Sequence, residues 1–153
     1  MKARELEGKV ALITGASKGL GKAMSLALAE AGAKVALVSR DKKLLGEVAT
    51  AVRTLGAEAE VFPADVSDEA QVLALEKAVA ARFGKLHILI NNAGINLRKP
   101  ITDFTLEEWN RIQTTNVTSA LDATVSGVGV VTYYGTPQVT QHISGAGTVR
   151  QGR

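Results

Sequence analysis

The chain has no cysteine, which excludes disulfides and thiolate metal sites, and its two histidines leave little for a zinc centre. Charge of one sign is also scarce: the formal net charge is +3. Acidic and basic residues are interspersed, so there is no basic patch of the kind that meets nucleic acid or an anionic membrane. No long apolar run occurs, and the opening "MKARELEGKV" is charged. Neither a signal peptide nor a membrane-spanning segment is therefore expected, and a cytoplasmic location is the default. What is present suits a folded domain: hydrophobic residues make up 46% and charged residues 22% of 153 residues, enough for one domain with its own core.

Residues 9–92 alternate between short apolar runs and helix-period stretches. "KVALIT" (9–14), "AKVALVSR" (33–40), "AEVFPAD" (59–65) and "LHILINNAG" (86–94) read as strands. Between them lie three helical stripes. Leu20, Met24, Ala27, Leu28 and Ala31 form the first, closed by Gly32. Leu44, Val48, Ala51, Val52 and Leu55 form the second, closed by Gly56. The third carries Val72, Leu75, Val79 and Phe83, with Ser67 as its expected cap and Gly84 as its stop. Such alternation predicts βαβ units, hence a doubly wound parallel sheet of the Rossmann type with helices on both faces. A shorter helix is expected to about Thr114, opened by Thr105 and Glu108 in capping-box spacing.

Beyond Asn116 the character changes. The only charged residues there are Asp122, Arg150 and Arg153, and no lysine follows Lys99. The expected division is therefore a nucleotide-binding domain over 1–120, truncated after about four strands, and an atypical tail over 121–153. That tail reads as irregular or weakly β, with "VGVVTYY" (128–134) as its strand candidate, and as disordered or altered by a frameshift.

"LITGASKGLGKAM" (12–24) joins the first strand to the first helix, where open α/β sheets bind ligands beyond the carboxyl ends of their strands. Gly15 suits a tight turn, Gly19 lets a pyrophosphate approach the backbone, and Gly21 lets the helix pack on its strand. The helix opening near Leu20 offers free N–H groups and a partial positive charge to that anion.

With Thr14, "TGASKGLG" resembles the signature of the short-chain dehydrogenase/reductase family. "NNAG" (91–94) after the fourth strand, "ADV" (64–66) after the third, and "TTNVTSA" around Asn116 are similar to that family in the same order. "NNAGINLRKP" and "TLEEWNR" resemble the 3-oxoacyl-acyl-carrier-protein reductase, gluconate dehydrogenase and tropinone reductase branches. The resemblance covers residues 6 to about 120. It implies the sheet order 3-2-1-4, a nicotinamide dinucleotide cofactor, a small-molecule substrate and, in the family, homo-oligomers.

The cofactor-binding set carried over comprises Gly15, Ser17, Lys18, Gly19, Leu20, Gly21, Ser39, Arg40, Asp65, Val66, Asn92, Ala93 and Gly94. An acidic residue at the end of the second strand would suit the ribose of NAD, but Ser39 and Arg40 stand there. Arg40 offers a planar fork to a 2′-phosphate, and Lys18 adds a charge in the loop, so NADP(H) is expected over NAD(H). The alternative keeps both as solvated charges and leaves Asp41 to serve NAD. Asp65 with the Val66 backbone is implied to meet the adenine; its alternative is a helix-capping aspartate. Asn91 is expected to tie neighbouring strands, while Asn92 is open between ligand and brace.

Family chemistry calls for Tyr-x-x-x-Lys, because a tyrosine needs a neighbouring cation to act as an acid or base near neutrality. Here four positions after Tyr133 and Tyr134 stand Pro137 and Gln138. No catalytic dyad is assigned, and Asn116 is catalytic by family resemblance only. Arg98 and Lys99 lie in a loop that either approaches the substrate or is merely solvated. The expected function is thus an NADP-dependent oxidoreductase acting on a carbonyl or secondary alcohol, represented by its cofactor-binding half. The alternatives are a non-catalytic dinucleotide-binding module and an inactive truncated product.

Overall fold

The computed structural model describes residues 4–117, 121–126, 129–133, 139–144 and 147–151. They fall into two compact units, Met1–Gly94 and Ile95–Arg153. The division comes at Gly94, ahead of the loss of charge beyond Asn116.

The first unit is a four-stranded parallel sheet in the order β3-β2-β1-β4. Its strands are β1 (Val10–Thr14), β2 (Lys34–Ser39), β3 (Ala59–Pro63) and β4 (Ile88–Ile90). The helices α1 (Gly19–Glu30), α2 (Lys42–Thr54) and α3 (Glu69–Phe83) connect them. Alternate side chains of each strand point to opposite faces, and this period divides the core in two. Ala11, Ile13, Val35 and Leu37 face one cluster with Ala29 of α1 and Leu45, Val48, Ala49 and Val52 of α2. Leu12, Ala36 and Val38 face the other, with Val79, Leu75 and Phe83 of α3. Because both faces are covered, β1 is buried at every position, which is why it reads as an unbroken apolar run.

Local chemistry sets the boundaries. Gly32, Gly56 and Gly84 follow the helices at positive φ, where a side chain would be strained. Pro63 ends β3, having no N–H for a further rung. Two expectations are corrected here. The cap of α3 is Asp68, whose carboxylate accepts the Gln71 N–H at 3.1 Å, and not Ser67, which turns back to Asp65. The fourth strand stops at Ile90, and not at 94, because the next residues leave the sheet to meet Thr14.

In the second unit a 3-10 turn at Ile101–Asp103 precedes α4 (Leu106–Val117), which runs three residues beyond the expected end. The capping box forms: the Glu108 N–H donates to Thr105 Oγ1 at 3.2 Å, and the Thr105 N–H donates to Glu108 Oε2 at 2.9 Å. Lys99 pairs with the same carboxylate and lies over the Phe104 ring at 5.2 Å, so its charge is used within its own loop.

Four strands follow where one was expected: β5 (Leu121–Ser126), β6 (Gly129–Tyr133), β7 (Val139–Ser144) and β8 (Gly147–Gln151). The pairs β5–β7 and β6–β8 are both parallel. Both registers join residues eighteen apart, Leu121 to Val139 and Gly129 to Gly147. The sequence repeats at that spacing, since Val125, Ser126, Gly127, Gly129 and Val131 answer to Ile143, Ser144, Gly145, Gly147 and Val149.

On the first unit, Glu58 lies 2.9 Å from Lys34 and 2.5 Å from Arg82, while Arg82 also reaches Glu60 at 3.2 Å. The Lys34 hydrogen bond, ahead of the one from Arg82, holds the Glu58 carboxyl below its ordinary 4.5. A depressed carboxylate contributes stability above its unfolded pKa and loses it as pH falls through the folded value. Glu58→Gln should therefore cost under about 1 kcal/mol at pH 7, as expected for a partly exposed pair. Urea midpoints of the two proteins should converge as pH is lowered from 7 to below the ordinary 4.5.

Candidate functional site

The carboxyl ends of β1, β2 and β3 bring the expected residues to one edge of the sheet. The decisive contact is between backbones. A Cβ built on Gly21 would stand 2.2 Å from the Gly15 carbonyl oxygen and 2.7 Å from Asn92 Nδ2, so no other residue fits there without moving the loop. Gly15 has φ +66, and its Cβ would lie 3.0 Å from Ala93 Cα. Gly19 has φ +55 with nothing within 4 Å, so its side of the loop is open. The buried Ser25 hydroxyl donates to the Gly21 carbonyl at 2.7 Å, and the Ala16 N–H donates to Val38 O at 3.1 Å. The first bond lies within the opening turns of α1, and the second fastens the loop to β2.

α2 and α3 begin on Asp41 and Asp68, which satisfy first-turn N–H groups. α1 begins on Lys18, which makes no side-chain capping bond, and has no acidic residue in its first turn. The leading N–H groups of a helix have no intrahelical acceptor, so here they are left to an anion. The glycine cradle and the uncapped helix together fit a pyrophosphate. Ser17 is half-buried, and Lys18 and Leu20 are exposed on the rim.

Thr14 is the hub of this corner, a role its place in the "TGASKGLG" motif does not disclose. Its Oγ1 accepts the N–H groups of Asn92 and Ala93, each at 3.0 Å, and donates to Ile90 O at 3.4 Å. Asn92 Nδ2 donates to Thr14 O at 3.0 Å and lies 3.5 Å from Gly15 O. The brace between strands is therefore Asn92, and not Asn91, which is exposed. Asn92 is already committed to the protein through its amide donors. Gly94 completes the turn as an exposed residue.

At the neighbouring corner, the parallel register sets Ser39 beside Pro63, and the Ala64 N–H donates to Ser39 O at 3.0 Å. Arg40 and Asp65, which follow these strands, form an ion pair at 3.5 Å. Asp65 Oδ1 accepts both the Ser67 N–H at 3.0 Å and the Ser67 hydroxyl at 2.6 Å. The Ser67 hydrogen bonds, with Arg40 behind them, lower the Asp65 pKa. Ser39 Oγ accepts the Asp41 N–H, and the Asp41 carboxylate accepts the Leu44 N–H at 3.0 Å as the cap of α2. Val66 packs against the Leu12 cluster, which leaves its backbone to the site.

Asn116 belongs to the second unit and lies near the C-terminal end of α4. Its amide is bidentate on Ile95, accepting the N–H at 2.8 Å and donating to the carbonyl at 2.9 Å. Among the described residues no group of three His, Cys, Asp or Glu is placed to hold a metal. No helix among them is long and apolar enough to cross a membrane.

The family profile described as short chain dehydrogenase matches residues 9–148. The chain belongs to the short-chain dehydrogenase family. It is 42% identical over 115 residues to a 2-dehydro-3-deoxy-D-gluconate 5-dehydrogenase of Pseudoalteromonas atlantica, covering 74% of this chain and 45% of that one. An NAD+-bound xylitol dehydrogenase superposes with a TM-score of 0.72 at 36% identity, over 75% of this chain and 45% of that one. A metagenomic short-chain oxidoreductase in complex with NADP gives 0.71 at 34% identity, over 75% and 52%. The chain spans about half the length of the curated relatives it matches. The match to the profile runs through the charge-poor stretch that follows Asn116.

The glycine contact makes a direct prediction. Gly21→Ala should abolish ligand-induced stabilisation and lower the melting temperature, because the new Cβ displaces either α1 or the loop. Gly46→Ala, inside α2 with nothing within 4 Å, is the control. It should stabilise by about 0.5–1 kcal/mol through helix propensity alone. Paired thermal melts check both.

Proposed function

We propose that this chain is the dinucleotide-binding part of a short-chain dehydrogenase and takes NADP(H) in preference to NAD(H). The observation that carries the reading is the uncapped N-terminus of α1 beneath the Gly15–Gly21 cradle, with Arg40 at the end of β2. The cradle holds the pyrophosphate, and Asp65 and Val66 border the adenine. Arg40 and Lys18 read a 2′-phosphate. The alternative ligand for an NAD ribose, Asp41, is committed to capping α2, which supports the same choice.

A bound nicotinamide dinucleotide would supply the hydride that passes between a carbonyl and a secondary alcohol on a small-molecule substrate. The chain's own residues bind and orient that cofactor.

A thermal melt with saturating NADPH, with NADH and without ligand tests the proposal. At a hundred times its dissociation constant, NADPH should stabilise the fold by roughly 2.7 kcal/mol. Arg40→Ala should remove about 1.5–3 kcal/mol of the NADPH advantage, the range for a hydrogen bond to a charged group, and leave NADH binding in place. Equal shifts with both dinucleotides would overturn the NADP preference. No shift with either, in a chain that melts cooperatively, would overturn the dinucleotide reading itself.

A further inference from the structure

We infer that Asp65 is a positioning residue for Arg40, so that discrimination between phosphorylated and unphosphorylated ribose depends on Asp65, and on Ser67 behind it, as well as on the arginine. The inference rests on the reading of Arg40 as the 2′-phosphate contact and adds to it the device that holds Arg40 in place.

Arg40 follows the last residue of β2 with its side chain 59% exposed. A long side chain in that setting samples many rotamers, and a ligand that immobilises it bears the ordering cost. Asp65 reduces that cost before the ligand arrives. The parallel pairing of Ser39 with Pro63, and the bond from Ala64 N–H to Ser39 O, set the two residues side by side at the sheet end. Oδ2 of Asp65 then lies 3.5 Å from Nη1 of Arg40.

The carboxylate is itself fixed. Its other oxygen is taken by the Ser67 N–H and hydroxyl, so Oδ2 is the oxygen left for Arg40. The Asp65 main-chain N–H donates to Gln71 Oε1 at 2.9 Å. Gln71 in turn gives its main-chain N–H and its side-chain amide to Asp68 at 3.1 and 2.8 Å. A chain of bonds thus runs from the first turn of α3 through Asp65 to Arg40. These bonds also keep Asp65 ionised, as the arginine requires.

The pair engages one guanidinium nitrogen of a group with five N–H donors, which leaves donors for a phosphate. A carboxylate near that phosphate also repels it. At this exposed rim the repulsion is screened by solvent and salt, and Asp65 is already neutralised by its partner, so the ordering effect dominates. An adenine contact made by Asp65 would behave differently, because adenine is common to both dinucleotides. The ratio of affinities separates the two roles.

The test titrates the full chain with NADPH and with NADH, following the fluorescence of the reduced nicotinamide. The proteins are wild type, Asp65→Asn, Ser67→Ala, Arg40→Ala and the Arg40→Ala/Asp65→Asn double variant. Asp65→Asn should lower the NADPH-over-NADH preference about two- to tenfold, the effect of leaving one long side chain to be ordered on binding. Ser67→Ala should lower it in the same direction by less. In the Arg40→Ala background, Asp65→Asn should leave the ratio unchanged. Ser67 is exposed and, among the described residues, its hydroxyl meets only Asp65, so that variant carries the test if Asp65→Asn melts without cooperativity. Equal loss of both dinucleotides in Asp65→Asn would overturn the inference in favour of an adenine contact. A raised NADPH preference would overturn it in favour of competition between carboxylate and phosphate. A wild-type chain that binds NADH as tightly as NADPH would instead overturn the reading of Arg40 on which this one stands.

Discussion

The closest constraint in the first unit is an atom that is not there. With no Cβ on Gly21, α1 seats its first turn against the Gly15 carbonyl, where a methyl group would be 2.2 Å away. That seat also brings Asn92 within reach of Thr14 and Gly15, so the turn after β4 is anchored to the same few backbone atoms. The shape of the glycine loop, the junction of β1 with β4 and the packing of α1 meet at a single close approach. A substitution there disturbs the loop and the helix together.

A second regularity is the uneven use of aspartate. Each crossover in this sheet ends a strand and opens a helix, and each helix begins with unsatisfied N–H groups. α2 and α3 meet that need internally through Asp41 and Asp68. α1 does not, and the residue at its cap is a lysine. The same division explains the corner at Arg40. Asp41 is used by its own helix and Asp65 is turned by Ser67, so the cation between them has one protein partner among the described residues and a free outward side.

How far the sequence disclosed this depends on the range of each interaction. The four strands and three helices of the first unit were legible because burial on both faces produces unbroken apolar runs and helical stripes, which are local signals. The Thr105–Glu108 capping box was legible for the same reason. What failed was non-local or finely balanced. Ser67 and Asp68 are adjacent and both able to cap, and the choice fell to Asp68 because Asp65 occupies Ser67. β4 ended early because Thr14, some eighty residues away, supplies the acceptor that draws Asn92 out of the sheet. Asn116 gives its amide to Ile95, a bond to main chain that leaves no trace in composition.

The tail shows the opposite case, a signal that was local and still missed. Judged residue by residue, "VTQHIS" is too polar for a strand, and "VGVVTYY" stands out alone. Compared with itself at a spacing of eighteen, the segment repeats, and the parallel registers of β5 with β7 and β6 with β8 follow that spacing. Parallel strands need a crossover of a dozen residues or so, and here β6 lies in the crossover from β5 to β7 and β7 in that from β6 to β8. The described strands after Asn116 are short, bear Val and Thr, and offer no helical period. The pattern that organises these strands is carried by spacing, and hydrophobicity alone does not reveal it.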